Sequence, residues 1–271
     1  GAGLFESPGG QRALDDSTIA RGGSSRNWTA RHLPRDGSPV AKKNCLKPWR
    51  KLMWCIAEIN TQYRKRMYHL LDVYARPLRR DEPVVCVDEK SLQLLAHSRT
   101  PRPMKPGSPA KEDYEYVRRG TCNLFVAVQP KAGRRTVVVT DRRGKADFVD
   151  FVRHLLATTY RRVRRLHLVL DNLNTHFAKS FVDVLGARRA ARLLRRVRFH
   201  YTPKHASWLN MAEIEIGVLT RQCLKTRFDA RGNLESHVQA WQERSNCKRR
   251  TIEWTFTRQR ADQKLRHHYV S

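Results

Sequence analysis

Five short runs rich in β-branched residues set what this chain can fold into. They are "PVVCVDEKS" (83–91), "CNLFVAV" (122–128), "TVVVT" (136–140), "RLHLVLD" (165–171) and "VRFHY" (197–201). The first three follow one another with no helical pattern between them. About six residues, including Gly133, separate the second from the third, which suits a hairpin. Beyond the third, strand runs alternate with helical ones. Phe148, Phe151, Val152, Leu155 and Leu156 recur at threes and fours, two short helical stretches fill 177–195, and further helices are expected over roughly 208–225 and 233–248. Strand–helix–strand units require crossovers and parallel neighbours, whereas the hairpin requires antiparallel ones. The expectation is therefore one α/β domain with a mixed sheet and helices on both faces.

Upstream, Ile56, Ile59, Tyr63, Met67, Leu70 and Tyr74 mark an amphipathic helix that Pro77 stops. Residues 1–43 differ. They hold seven of the 14 glycines, are rich in Ser, Arg and Pro, and show no sustained period. Such a composition does not bury enough apolar surface to offset its ordering entropy. The division expected is a disordered or degenerate segment over 1–43, a linker and helix over 44–80, the α/β domain over 81–230 and a helical extension over 231–271.

Charge narrows the partners. Lys and Arg number 54 against 25 Asp and Glu, a formal charge of +29. A surplus of that size calls for a polyanion, and nucleic acid gives such side chains affinity through counterion release. Charge alone would equally suit a ribosomal or membrane-surface protein. The six cysteines form no C-x-x-C pair, which argues against structural zinc and suits a reducing cytosol. No apolar run approaches the roughly 18 residues of a membrane helix.

Two apolar runs end on carboxylates, Asp88 and Asp171, and ligands in open α/β sheets bind near carboxyl strand ends. Taken alone, an Asp after a strand such as Asp171 is more often a cap than a catalyst. A third carboxylate is expected from "TPKHASWLNMAEIEIGVL". On one continuous helix Glu213 shares a face with Leu209 and Ile216, while Glu215 lies roughly 200° away. If that stripe packs on the sheet, Glu213 points at it and Glu215 does not; otherwise Glu213 borders the stripe and reaches solvent. Like charges held together raise one another's pKa, a cost that divalent cations remove. Mg²⁺ is held by carboxylates and phosphate oxygens, and a pair of such ions serves phosphoryl transfer.

Three blocks, "PVVCVDEKS", "LVLDNLNTH" and "HYTPKHASWLNMAEIEIGVLTRQCL", closely resemble insertion-sequence transposases of the mariner superfamily, in the bacterial family called IS six-thirty. "LKPWRKLMWCI", "LLDVYARP" and "WTFTRQRADQKLRHHY" extend the resemblance over roughly residues 44–269. It implies a ribonuclease-H-like five-stranded sheet with the first and fourth strands adjacent. It implies a DDE triad of Asp88, Asp171 and Glu213 holding two Mg²⁺ or Mn²⁺ ions, with Asn172, His176 and Asn210 as support; Pro203 and Trp208 also match the family's motifs. The stretch from Asp171 to Glu213 is longer than is commonest in the superfamily, and the excess falls in "VLGARRAARLLRR", read as a basic helical insertion. The activity implied is cleavage and transfer of double-stranded DNA by a homodimer in the bacterial cytoplasm, associated with the nucleoid. A simple nuclease with the same core, or a relic that binds DNA by charge alone, are the competing classes. Family members carry helix-turn-helix modules upstream, which residues 1–43 do not resemble, so strong but weakly selective DNA binding is expected.

Overall fold

A computed structural model describes residues 59–270. The readings made for residues 1–43, for "LKPWRKLMWCI" and for Ile56 lie outside the described residues. Five strands form one sheet: β1 (Val84–His97), β2 (Tyr116–Gln129), β3 (Arg134–Thr140), β4 (Leu166–Leu170) and β5 (Val197–Tyr201). Their order is β3-β2-β1-β4-β5. The β1/β2 and β2/β3 pairs are antiparallel, and β1/β4 and β4/β5 are parallel. This is the mixed sheet expected, with the first and fourth strands side by side, in a ribonuclease-H-like arrangement.

Alternation along the strands builds two cores. Val85 and Val87 of β1, Phe125 and Ala127 of β2, and Leu168 and Leu170 of β4 face one side. There they meet α2 (Lys145–Ala157), α3 (Ala178–Leu185) and α4 (Ala187–Leu194). Cys86, Val128 and Val169 face the other side, against α1 (Thr61–Ala75), α5 (Met211–Gln222) and α7 (Arg258–Leu265). Leu124 and Val126 extend that second face beneath α6 (Arg231–Lys248), whose Leu234, Val238 and Trp241 are buried on it. β4 is buried along its whole length, as a central parallel strand covered on both faces must be.

Three expectations shift. The first helix begins at Thr61 rather than before Ile59. The Asn60 side chain accepts from the Tyr63 backbone N–H at 2.8 Å and so caps it, and Ile59 bridges to Tyr269 instead. Asp88 does not end its strand: β1 continues to His97, with β2 alone as its partner beyond Cys86. The helical extension expected over 231–271 is interrupted, since residues 249–257 between α6 and α7 form no helix.

At the β2/β3 hairpin, Gly133 has φ 61°, a left-handed conformation that favours glycine. A Cβ there would also lie 2.4 Å from the Arg249 carbonyl oxygen. Gly133→Ala should therefore cost about 1–3 kcal/mol, read as a lower urea midpoint. Gly107→Ala, at φ 75° with nothing within 4 Å, should cost less; equal losses would contradict the close-approach account.

Candidate active site

The register of the parallel pair brings two aspartates together. β1 and β4 pair from Val84↔His167 to Cys86↔Val169. Asp88 and Asp171 each stand two residues beyond that last pair, so they emerge opposite one another where the two strands part. By alternation Asp88 is on the Cys86 side of the sheet, beneath the start of α5. Asp88 Oδ1 accepts from the Glu89 backbone N–H at 2.8 Å. Burial pushes the Asp88 carboxyl up to about 7. The Glu89 N–H opposes that shift, and the charges of Asp171, Glu89 and Glu213 add to it.

The position of Glu213 is set by Asn210. This residue caps α5, its Oδ1 accepting from the Ala212 backbone N–H at 3.1 Å. Its Nδ2 donates to the Val87 carbonyl at 2.8 Å, one residue before Asp88. The first turn of α5, with exposed Glu213, is thereby fastened beside Asp88. The helical phase expected for α5 is corrected. Leu209 belongs to a separate 3-10 turn (Ser207–Leu209), so a stripe counted from it does not run along α5. The buried face is Met211, Ala212, Glu215 and Leu219. Glu215, only 1% exposed, points at the sheet and accepts from Arg135 Nε at 2.6 Å. Arg135, itself buried on β3, also donates to the carbonyls of Gly133 and Arg250. Glu213 has no ion-pair partner among the described residues.

A second cluster lies just behind Asp171. His176 is fully buried, its ring 4.6 Å from that of Phe148. Its Nδ1 is 2.7 Å from Asp171 Oδ1 and its Nε2 is 2.6 Å from Glu89 Oε1. Ionised carboxylates only accept, so both ring nitrogens donate and the ring is an imidazolium. Burial lowers the His176 pKa, but the bonds to Asp171 and Glu89 outweigh it and hold it up at about 9. Asn172 donates from Nδ2 to the Thr202 carbonyl at 2.6 Å and accepts from Arg66 at 3.3 Å, tying the ends of β4 and β5 to α1. Pro203 is buried, while Trp208 is exposed and edge-on to Phe256 at 5.3 Å.

Sequence reasoning missed Glu89 and the Arg135–Glu215 pair. Glu89 was nonetheless readable: alternation puts it on the Val87 side, in the core, where a carboxylate requires a cationic or hydrogen-bonding partner. Among the described residues no three His, Cys, Asp or Glu side chains are close enough together to hold one ion. Asp88, Asp171 and the first turn of α5 share one end of the sheet. Each aspartate commits Oδ1 to the scaffold, and neither Oδ2 has a protein partner among the described residues. Such a donor set, hard oxygens left without a protein donor, fits a divalent cation.

The sequence profile of the DDE superfamily endonucleases matches residues 83–235. The chain belongs to that family. A search of curated proteins finds no match. Among solved structures, this chain is similar to a Mos1 mariner paired-end complex with Mn, at 17% identity and a TM-score of 0.47, over 77% of this chain and 67% of that one. It is similar to a Mos1 transposase paired-end complex with the left transposon end, at 17% identity and a TM-score of 0.48, over 77% and 65%. A pre-cleavage Mos1 transpososome matches at 16% identity and a TM-score of 0.47, over 84% and 69%. The chain spans about two thirds of the length of these chains.

Two stability experiments on this member of the family follow from this geometry. Glu215→Gln leaves buried Arg135 without its counter-charge and should cost about 3–5 kcal/mol, whereas Glu213→Gln should change the urea midpoint little. A large loss at Glu213 would contradict the assignment of faces. For Asp88 the folded pKa is raised, so its contribution to stability is present below about pH 4 and is lost as pH rises towards 7. In excess chelator, Asp88→Asn should therefore stabilise the protein at pH 8 by on the order of 1–3 kcal/mol, an advantage that shrinks towards pH 4. Destabilisation by Asp88→Asn at pH 8 would contradict the electrostatic account.

Proposed function

We propose that this chain is a DNA transposase of the mariner superfamily, akin to the bacterial family called IS six-thirty. In this reading it cleaves double-stranded DNA at the ends of an insertion sequence and joins them to a target. Asp88, Asp171 and Glu213 are its catalytic carboxylates. The observation that carries the reading is the β1/β4 register, which sets Asp88 opposite Asp171 while Asn210 fastens the start of α5 to Val87.

The three carboxylates are the residues that would hold two Mg²⁺ or Mn²⁺ ions. Such ions, when bound, activate an attacking oxygen and stabilise the departing one in phosphodiester chemistry. The side chains have separable tasks. Asp88 and Asp171 keep one oxygen bonded to the scaffold and present the other. Glu213, on an exposed first turn, is free to close towards the aspartates. His176, gripped by Glu89, fixes the orientation of Asp171; both are positioning residues. In hydrolysis, water attacks a phosphodiester in line, forming a new P–O bond while the P–O3′ bond breaks, which leaves a 3′-hydroxyl and a 5′-phosphate. In transfer, that 3′-hydroxyl attacks a target phosphodiester and displaces the target's own 3′ oxygen. The protein would act as a homodimer on DNA, in the cytoplasm beside the nucleoid. No helix among the described residues is long and apolar enough to cross a membrane.

Nicking of supercoiled plasmid in Mn²⁺ provides the test. Asp88→Asn, Asp171→Asn and Glu213→Gln should each lower it by about a thousandfold or more, about 4 kcal/mol in transition-state terms, with DNA affinity retained. Cleavage by Asp88→Asn, or by the parent in excess chelator, sinks the proposal. Joining of labelled ends to plasmid separates a transposase from a simple nuclease. Glu89→Gln should lower cleavage about 10–100-fold and raise the Mn²⁺ concentration needed for half-activity. A loss of stability with no change in that requirement would make Glu89 structural only.

A further inference from the structure

The carboxylates occupy one end of the parallel strands, and the opposite end is built of arginine. Arg165 immediately precedes β4, and Arg195 and Arg196 immediately precede β5. The two strand starts are bonded, the Leu166 backbone N–H donating to the Arg196 carbonyl at 2.7 Å. The Arg196 guanidinium donates to the carbonyls of Tyr160, Arg161 and Val163, clamping the segment that carries Arg161 and Arg162 against the end of α4. Arg161, Arg162, Arg165, Arg195 and Arg198 are all exposed, and none has an ion-pair partner among the described residues.

α4 extends this surface. Its Ala190 is buried, and Leu193 and Leu194 pack on the sheet. Arg188, Arg192 and Arg195 recur at four and three positions, so they form one outward stripe, with Cα atoms roughly 6 and 4.5 Å apart along the axis. That is the scale of successive phosphates along a strand, about 3.4 Å of rise each. Acidic residues are missing from both contributing segments: none lies between Asp150 and Asp171, or between Asp183 and Glu213. The nearest carboxylates, Asp81 and Glu82, are engaged by Arg79 and Arg164. An ordinary solvated face mixes charges of both signs; this one does not.

β4 is five residues long, so Arg165 and Arg196, at the starts of β4 and β5, lie roughly 16 Å along the strands from the ends that bear the aspartates. We infer that the α4 stripe with the Arg161–Arg165 segment is a second duplex-binding surface, which holds the phosphate backbone of a DNA segment separate from the one being cut. α4, in the stretch from Asp171 to Glu213, supplies Arg188 and Arg192, and the segments before β4 and β5 supply the rest. The inference rests on the reading of DNA as substrate, but it is testable without catalysis.

The experiment uses the full chain carrying Asp88→Asn, so that DNA is bound and not cut. Affinity for a labelled random duplex several helical turns long is measured across a range of salt. The triple variant Arg188→Gln, Arg192→Gln, Arg195→Gln should lower the slope of log K against log salt by about 2–3, since each phosphate contact contributes about 0.9. Arg188→Lys, Arg192→Lys, Arg195→Lys should restore it. Bead-bound duplex should capture a labelled second duplex through the parent, and capture should fall at least about tenfold in the Gln triple. As control, Arg102→Gln, Lys105→Gln, Lys111→Gln on the β1–β2 connection should do less than half as much in both assays. An unchanged slope, an equal effect of the control, failure of lysine to restore binding, or tighter binding of duplex RNA than of DNA overturns the inference. If the Gln triple loses slope and capture while the parent without Asp88→Asn never cleaves DNA, the second surface stands and the transposase reading falls.

Discussion

Three residue pairs between β1 and β4 determine everything chemical about this molecule. Val84, Val85 and Cys86 lie in register with His167, Leu168 and Val169, and all but half-buried Val84 are buried. Side chains alternate with a period of two, so a slip of one residue would send Asp88 into the α2 core and bring Glu89 to the mouth. Apolar contacts hold the register: Val85 and Val87 fit against α2, and Cys86 fits beneath α1 and α5. Asn210 then uses the same strand as its anchor through the Val87 carbonyl, which places α5 relative to Asp88. The site is thus a by-product of hydrophobic packing, with one amide hydrogen bond fastening its third element.

Its electrostatics are unequal, and the inequality is informative. Four carboxylates in this region are wholly or partly removed from water, and three have a protein cation. Glu215 has Arg135. Glu89 and Asp171 share the His176 imidazolium. Asp88 has only a backbone N–H, and its carboxyl is pushed up to about 7 by burial and by its acidic neighbours. A basic protein with 54 Lys and Arg residues has no shortage of cations to place there. In the proposed reading, leaving Asp88 without one keeps that position for a divalent cation from solution.

Much of this was legible in the residues, and the misses have physical causes. β4, β5 and the α2 stripe read directly because burial imposes a clean period on each. Asp88 and Asp171 stood out because a charge after an apolar run is unusual in a buried strand. The outer half of β1 and the start of β2 were not legible as strand. There the two strands pair with each other alone, the start of β2 exposed and the outer half of β1 mostly half-buried, so no continuous apolar run records them. α7 buries Ala261 alone of its residues and left no stripe to find. The phase of α5 failed because Leu209 lies on a separate 3-10 turn, so a stripe counted from it does not carry into the helix that buries Glu215 rather than Glu213. Glu89 was hidden by its neighbour: beside a candidate ligand, the second carboxylate was not asked where it pointed.

The central claim is that Asp88, Asp171 and Glu213 form one cation site. Crystals of the protein soaked in Mn²⁺ and measured for anomalous scattering would locate the ions without reference to activity. The account predicts anomalous density between Asp88 and Asp171, on the Cys86 side of the sheet, with Glu213 pulled in from the first turn of α5, and its loss in Asp88→Asn. Density that lies elsewhere, or that persists at full strength in Asp88→Asn, would contradict it.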